Sequence, residues 1–145
     1  DLSRANLSGA NLSGADLYRA DLYRANLYRA ENFPFIPMAC PDFGSFIGWK
    51  KADGRLIKLL IPADAARSSA ATRKCRCSKA KVLEITNLDG SVYSGNKVPS
   101  DYDNNFFYTV DETVEVEDFN PDRWEECSTG IHFFINRQEA IEYNG

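Results

Sequence analysis

The sequence predicts a mixed architecture: an N-terminal coil that turns one corner every five residues, then a small α+β domain with a mainly antiparallel sheet. Three observations predict it. Leucine recurs at 2, 7, 12, 17, 22 and 27, alanine recurs at 5, 10, 15, 20, 25 and 30, and Asp or Asn precedes every leucine. Prolines at 34, 37 and 41 then end the repeat. Beyond them, short alternating apolar runs are punctuated by Asp53-Gly54 and Asp89-Gly90.

The period of five decides the first element. A helix turns about 100° per residue, so leucines five apart form no stripe. A strand alternates faces, so an odd spacing sends every second leucine outward. A chain that turns a corner once per repeat points every leucine inward, with alanine sharing the narrow interior. Asp or Asn suits the corners, because its side chain bonds nearby backbone groups. Leu17, Leu22 and Leu27 are therefore expected to be buried, and Tyr18, Tyr23 and Tyr28 to point outward. The Ala-(Asp/Asn)-Leu-x-x pattern of residues 1–30 resembles the pentapeptide-repeat family. That resemblance implies a right-handed quadrilateral β-helix with four repeats per coil. The chain starts inside a repeat at Asp1, and its only methionine is Met38. It is expected to be the C-terminal part of a longer product; otherwise a second copy or the following domain covers the open end.

The division expected is a β-helix end over 1–32, a Pro-rich connector and cap over 33–42, and the α+β domain over 43–145. Three prolines exclude helix and central strand from the connector, while Phe33, Phe35 and Ile36 are too apolar for a free linker. Phe46–Lys51 and Arg55–Ile61 flank Ala52-Asp53-Gly54, a hairpin signal. Asp64–Lys74 reads as a loop or one helical turn, Lys81–Thr86 as a strand, and 94–105 as a loop. Phe106–Val110 and Thr113–Val116 read as two short strands. Asn120-Pro121 predicts a short helix start. Gly130 leads into an apolar strand from Ile131, and Asn136 with Glu139 predicts a capped helix over Arg137–Tyr143.

Composition narrows the function. Forty-three per cent apolar residues, with nine Phe, seven Tyr and two Trp, suffice for one packed core in 145 residues. A net charge of −4 argues against general nucleic-acid binding. No apolar run is long enough for a membrane span, and the expected setting is cytoplasmic, in a bacterial or phage-infected cell. Cysteines lie at 40, 75, 77 and 127. Cys75-Arg76-Cys77 lacks the Cys-x-x-Cys spacing of zinc or redox sites. Free thiols are preferred to a zinc site of Cys75, Cys77, Cys127 and His132 or Cys40, so no metal and no cofactor is expected.

Two surfaces are candidates for recognition. Tyr18, Arg19, Tyr23, Arg24, Tyr28 and Arg29 form a Tyr/Arg belt, a composition common at binding hot spots and equally at simple Arg-on-Tyr stacks. Pentapeptide-repeat proteins of the quinolone-resistance type mimic DNA with an acidic rod. Here Asp1, Asp16, Asp21 and Glu31 balance Arg4, Arg19, Arg24 and Arg29, so mimicry is not expected of these repeats. The second candidate is an anion site of Arg67, Ser68, Ser69, Thr72, Arg73, Lys74, Arg76 and His132, since guanidinium forks and hydroxyls suit phosphate. Arg73 and Arg76 are then expected to matter for binding and not for the fold. The rival expectation is that these arginines pair with the acidic run 111–126.

Gly130-Ile131-His132-Phe133, followed by Ala140 and Tyr143, resembles the middle motif of ADP-ribosyltransferases of the poly-ADP-ribose-polymerase type. That family carries a nicotinamide-stacking tyrosine where this chain has His132. There is no room before Gly145 for the family's catalytic glutamate, and Gly48-Trp49-Lys50 matches its first motif poorly. No catalytic residue is assigned. His132 reads equally as a hydrogen-bonded strand histidine. The whole pattern, with Arg67-Ser68-Ser69, Thr72–Cys77 and Cys127–Phe134, resembles proteins of phages and gut bacteria without an assigned activity. The expected function is a non-enzymatic binding protein, phage-encoded and acting on a host factor, with a protein partner. The alternative is a nucleotide- or NAD-related-ligand-binding domain, acting by sequestration or as a weak enzyme.

Overall fold

The computed structural model describes residues 1–15, 17, 22, 25–32, 38–70 and 72–144. Tyr18, Arg19, Tyr23, Arg24 and Phe33, Phe35 and Ile36, expected to cap the last coil, lie outside the described residues.

Each described repeat is a small turn built by its own side chain. Asp1, Asn6, Asn11 and Asn26 accept, through Oδ1, the backbone N–H two residues on, at 2.8–3.1 Å. The N–H of each following alanine closes on the leucine carbonyl, as in Ala10 to Leu7 at 3.0 Å. The residue between them has positive φ at Arg4, Gly9, Gly14 and Arg29, the third position of a type II turn. Asn6 pairs in parallel with Asn26, and Asn11 with Glu31, so the chain meets itself after four repeats. Leu22 and Leu27 are buried as expected. Leu17 is only half-buried and Leu2 is exposed. Tyr28 is exposed with the Arg29 guanidinium 5.0 Å from its ring.

The rest of the described chain is β-rich and antiparallel, with one short helix. Strands β1 (Phe46–Ala52), β2 (Arg55–Ile61), β5 (Lys79–Asn87) and β8 (Thr113–Glu115) form one sheet in the order β1-β2-β5-β8. Asp53 and Gly54 both have positive φ, the two-residue hairpin turn that Asp-Gly predicts. The turn sets Ala52 opposite Arg55 and Lys50 opposite Ile57. Ile57, Leu59 and Ile61 face the core; a register shift after Lys58 leaves Leu83 as an extra residue in β5, and the inward positions move from Val82 to Ile85.

A second sheet of β3 (Arg67–Ser69), β4 (Cys75–Cys77) and β9 (Ile131–Phe133) packs on the first. Just beyond β9, Phe134 exchanges two backbone hydrogen bonds with Trp49 of β1. Phe133 packs so closely over β1 that a Cβ at Gly48 would lie 2.6 Å from its ring. Strands β6 (Lys97–Pro99) and β7 (Phe107–Thr109) pair beside them. Helix α1 (Arg137–Glu142) is capped by Asn136, whose side chain accepts from Gln138 and Glu139 N–H, as the sequence predicts.

Three expectations are corrected. Residues 67–69 form a strand, not a loop or helical turn; Arg123 holds its end by donating to Ser69 O and Ala70 O, so tertiary contacts override the polar composition. Lys97–Pro99 is a strand inside the expected loop, anchored by the fully buried Val98 opposite Tyr108. Asn120-Pro121 starts turns and no helix: the Asn120 and Asp122 carbonyls accept from the Arg76 guanidinium, each at 2.8 Å, and Asp122 O closes only an i+3 turn with Glu125 N–H.

Candidate functional site

The basic residues around β3 and β4 do not share one role. Arg67 donates to the carbonyls of Gly44, Pro62, Ala63 and Ala65 and sits over the Phe46 ring. Arg76 is 2% exposed; it donates to the carbonyls of Asn120, Asp122 and Thr129 and stacks on Phe119 at 5.0 Å. These two side chains tie loops to the sheet. Arg73 forms an exposed ion pair with Glu139 at 3.1 Å. Ser69 Oγ accepts from Ala39 N, Thr72 Oγ1 bonds Glu126, and the buried Ser68 hydroxyl has no partner among the described residues. Antiparallel pairing sets Arg67 opposite Cys77, whereas Ser68 and His132 both lie opposite or beside Arg76. The strands bring Ser68, Arg76 and His132 onto one face and leave Arg67 on the other.

The remaining two predicted residues, Lys74 and His132, open onto a cleft. Its inner part, about 290 Å³, is lined by Lys50, Lys51, Lys74, Asp101, Tyr102, His132, Phe134, Tyr143 and Asn144. Outward it widens into a larger cleft that reaches Tyr28 of the repeats. β1 supplies Lys50, the β9 end supplies His132 and Phe134, and the chain just after α1 supplies Tyr143.

Lys50 stands out electrostatically. It is 8% exposed, yet the ion pairs among the described residues are Arg73–Glu139 and Lys79–Asp64, and neither involves it. Its Nζ donates to His132 O at 3.0 Å and lies 5.7 Å from the Tyr108 ring centre. Burial pulls its pKa down to about 8; Asp101 opposes this and Lys74 adds to it. Asp101 itself accepts the Asp53 N–H. Lys74 donates to the Tyr143 hydroxyl at 3.1 Å and lies against the exposed Cys127. The tilted rings of Phe134 and Tyr143 are 5.2 Å apart.

His132 Nε2 is 2.9 Å from Ser128 O. Burial, with Lys74, Lys50 and Arg76 adding to it, pushes the imidazole pKa down to about 4 against the opposing pull of that carbonyl. The ring is neutral at pH 7, and a carbonyl partner fixes the proton on Nε2, which leaves Nδ1 an acceptor. A neutral, desolvated histidine beside two ammonium groups can accept a hydrogen bond while the lysines bind negative charge.

Lys50, Tyr102 and Phe134 are among the lining residues that motif reading missed. For Lys50 a signal existed: the two-residue turn places it opposite Ile57, on the core face. Among the described residues no His, Cys, Asp and Glu cluster is arranged to hold a metal ion, and no helix is long and apolar enough to cross a membrane.

Pentapeptide repeats (8 copies) match residues 1–31, and a family of unknown function, DUF5758, matches residues 36–140. No curated protein matches the chain. No solved structure matches it either. The family match spans well over half of the sequence and takes in every strand and most of the cleft, so the chain belongs to the DUF5758 family, with pentapeptide repeats preceding the DUF5758 region.

Proposed function

We propose that this chain is a non-enzymatic binding protein whose repeats form a right-handed quadrilateral β-helix that presents the C-terminal domain, and that this domain recognises an anionic group in the Lys50–Lys74 cleft. One observation carries the reading: Lys50 is a buried ammonium without an ion-pair partner among the described residues, in a cleft that a second ammonium, Lys74, also lines. A buried charge lacking a counter-charge is costly, and a ligand anion removes that cost. The β-helix is supported by the parallel pairing of residues four repeats apart and by the buried Leu22 and Leu27. Leu22→Ala should cost about 2–5 kcal/mol as a buried truncation, whereas Leu2→Ala should cost little. The outward Tyr28–Arg29 stack belongs to the surface we assign to a protein partner.

A second reading keeps the ligand class narrower. Tyr143, part of the ADP-ribosyltransferase-like pattern, and His132, which stands where that family has its nicotinamide-stacking tyrosine, line the same inner cleft. This favours a nucleotide- or NAD-related ligand held without turnover.

A thermal-shift screen of phosphate, ADP-ribose, NAD and cyclic dinucleotides tests both. The expected result is stabilisation by at least one anion, weakening as salt rises and lost in Lys74→Met. If no anion shifts the melting point at low salt, the anion reading is wrong. If NAD and ADP-ribose do no better than phosphate, the second reading is.

A further inference from the structure

We infer that the inner cleft takes a small planar ring compound carrying one anionic group and a ring hydroxyl or N–H, an aromatic carboxylate of the hydroxybenzoate type. The inference rests on the anion-binding reading above and supplies the other half of the ligand.

The size of the cleft comes first. About 290 Å³ lies at the lower end of small-molecule sites and fits a single ring with substituents; a dinucleotide would have to extend into the outer cleft. The charge comes second. Lys50, Lys51 and Lys74 line the cleft with one carboxylate, Asp101; Lys51 is engaged with the Ile141 carbonyl and Asp101 with the Asp53 N–H. One added negative charge offsets the buried Lys50 ammonium.

The walls are third. Phe134, Tyr143 and Tyr102 contribute three aromatic rings to one small space. Tyr102 lines the cleft and is 74% exposed, so much of its aromatic face is open to a ligand. Such a face binds another ring by offset stacking or edge contact. The fourth feature is His132. With Nε2 on Ser128 O, its Nδ1 accepts a hydrogen bond, so a ligand hydroxyl or ring N–H matches it where a bare carboxylate does not. Cation, acceptor and ring faces together describe one molecule with an anionic group, a donor and a plane.

Isothermal titration calorimetry on the full chain at pH 7 separates the parts. The probes are 4-hydroxybenzoate, which has ring, charge and donor; inorganic phosphate and acetate, which have charge alone; and 4-hydroxybenzamide, which has the ring without the charge. We expect 4-hydroxybenzoate to bind at least about tenfold more tightly than each of the others. Tyr102→Ala, a change at an exposed side chain, should weaken 4-hydroxybenzoate by roughly three- to tenfold and leave phosphate unchanged. Lys74→Met should weaken every anion. If phosphate or acetate binds as tightly as 4-hydroxybenzoate and is still lost in Lys74→Met, the ring inference fails while the anion reading stands. If no anionic probe binds, both fail.

Discussion

Arg76 and Lys50 are both buried cations in neighbouring parts of the same core, and they are treated in opposite ways. The Arg76 guanidinium meets three main-chain carbonyls at 2.7–2.8 Å and an aromatic face, so its donors are largely used. The Lys50 ammonium meets one carbonyl and a more distant ring, with another lysine nearby. A guanidinium is weakly hydrated and its planar fork suits several fixed acceptors, which makes it the better structural cation. A compact ammonium keeps N–H groups free and titrates when buried. The difference teaches that buried basic residues of one domain divide into ties within the fold and groups held open for a ligand.

The largest effect that would break this contrast is at Arg76. Arg76→Met removes the guanidinium donor from the carbonyls of Asn120, Asp122 and Thr129, and should cost about 3–5 kcal/mol in urea unfolding. A loss below about 1 kcal/mol would remove the structural role. It would also restore the expectation that the fold does not depend on Arg76.

Next is the pH dependence set by His132. Its folded pKa lies near 4 and the ordinary value near 6.5, so between them the unfolded chain binds more protons. Stability should be full above pH 6.5 and fall by about 3 kcal/mol on the way to pH 4. His132→Asn should flatten that part of the stability profile; an unchanged slope would place the histidine in water.

Lys50 should behave with the opposite sign to Arg76. Lys50→Met removes an ammonium that burial disfavours, and should stabilise the free chain by about 1–3 kcal/mol while abolishing anion binding. Destabilisation would mean that Lys50 is a structural tie as well. The smallest effect is expected at Arg73, whose ion pair with Glu139 is exposed. Arg73→Ala should change stability by no more than about 0.5 kcal/mol.

Much of the fold was legible because local chemistry dictated it. The Asp and Asn corners bond their own backbone, Asp53-Gly54 supplies the positive φ of its turn, and Asn136 caps α1. These need no distant partner. The strand at Arg67–Ser69 and the turns after Asn120 were not legible, since each depends on a guanidinium arriving from elsewhere: Arg123 on Ser69 O, and Arg76 on Asn120 O and Asp122 O. The same limit applies to the cleft. Lys74 and His132 stand in suggestive motifs, but Phe134 joins them only through the pairing of β1 with the β9 end, and Tyr102 through the β6–β7 loop, where Asp101 accepts the Asp53 N–H. Lys50 was the exception that reading missed: hairpin register alone puts it on the core face opposite Ile57.

The central claim is that Lys50 is a buried ammonium awaiting a counter-charge. Its most direct test is the titration of the Lys50 Nζ by NMR, in protein labelled at lysine side chains, with Lys50→Met to assign the signal. In the free chain burial and Lys74 depress the ammonium, with Asp101 opposing, while Tyr108, Cys77 and the His132 carbonyl complete its surroundings. The folded chain should therefore release this proton near pH 8, against 10.5 for an ordinary lysine. Saturation with 4-hydroxybenzoate should raise the midpoint by about one pH unit or more, because an adjacent anion favours the charged form. A midpoint near the ordinary lysine value that does not move with any anion would contradict the account.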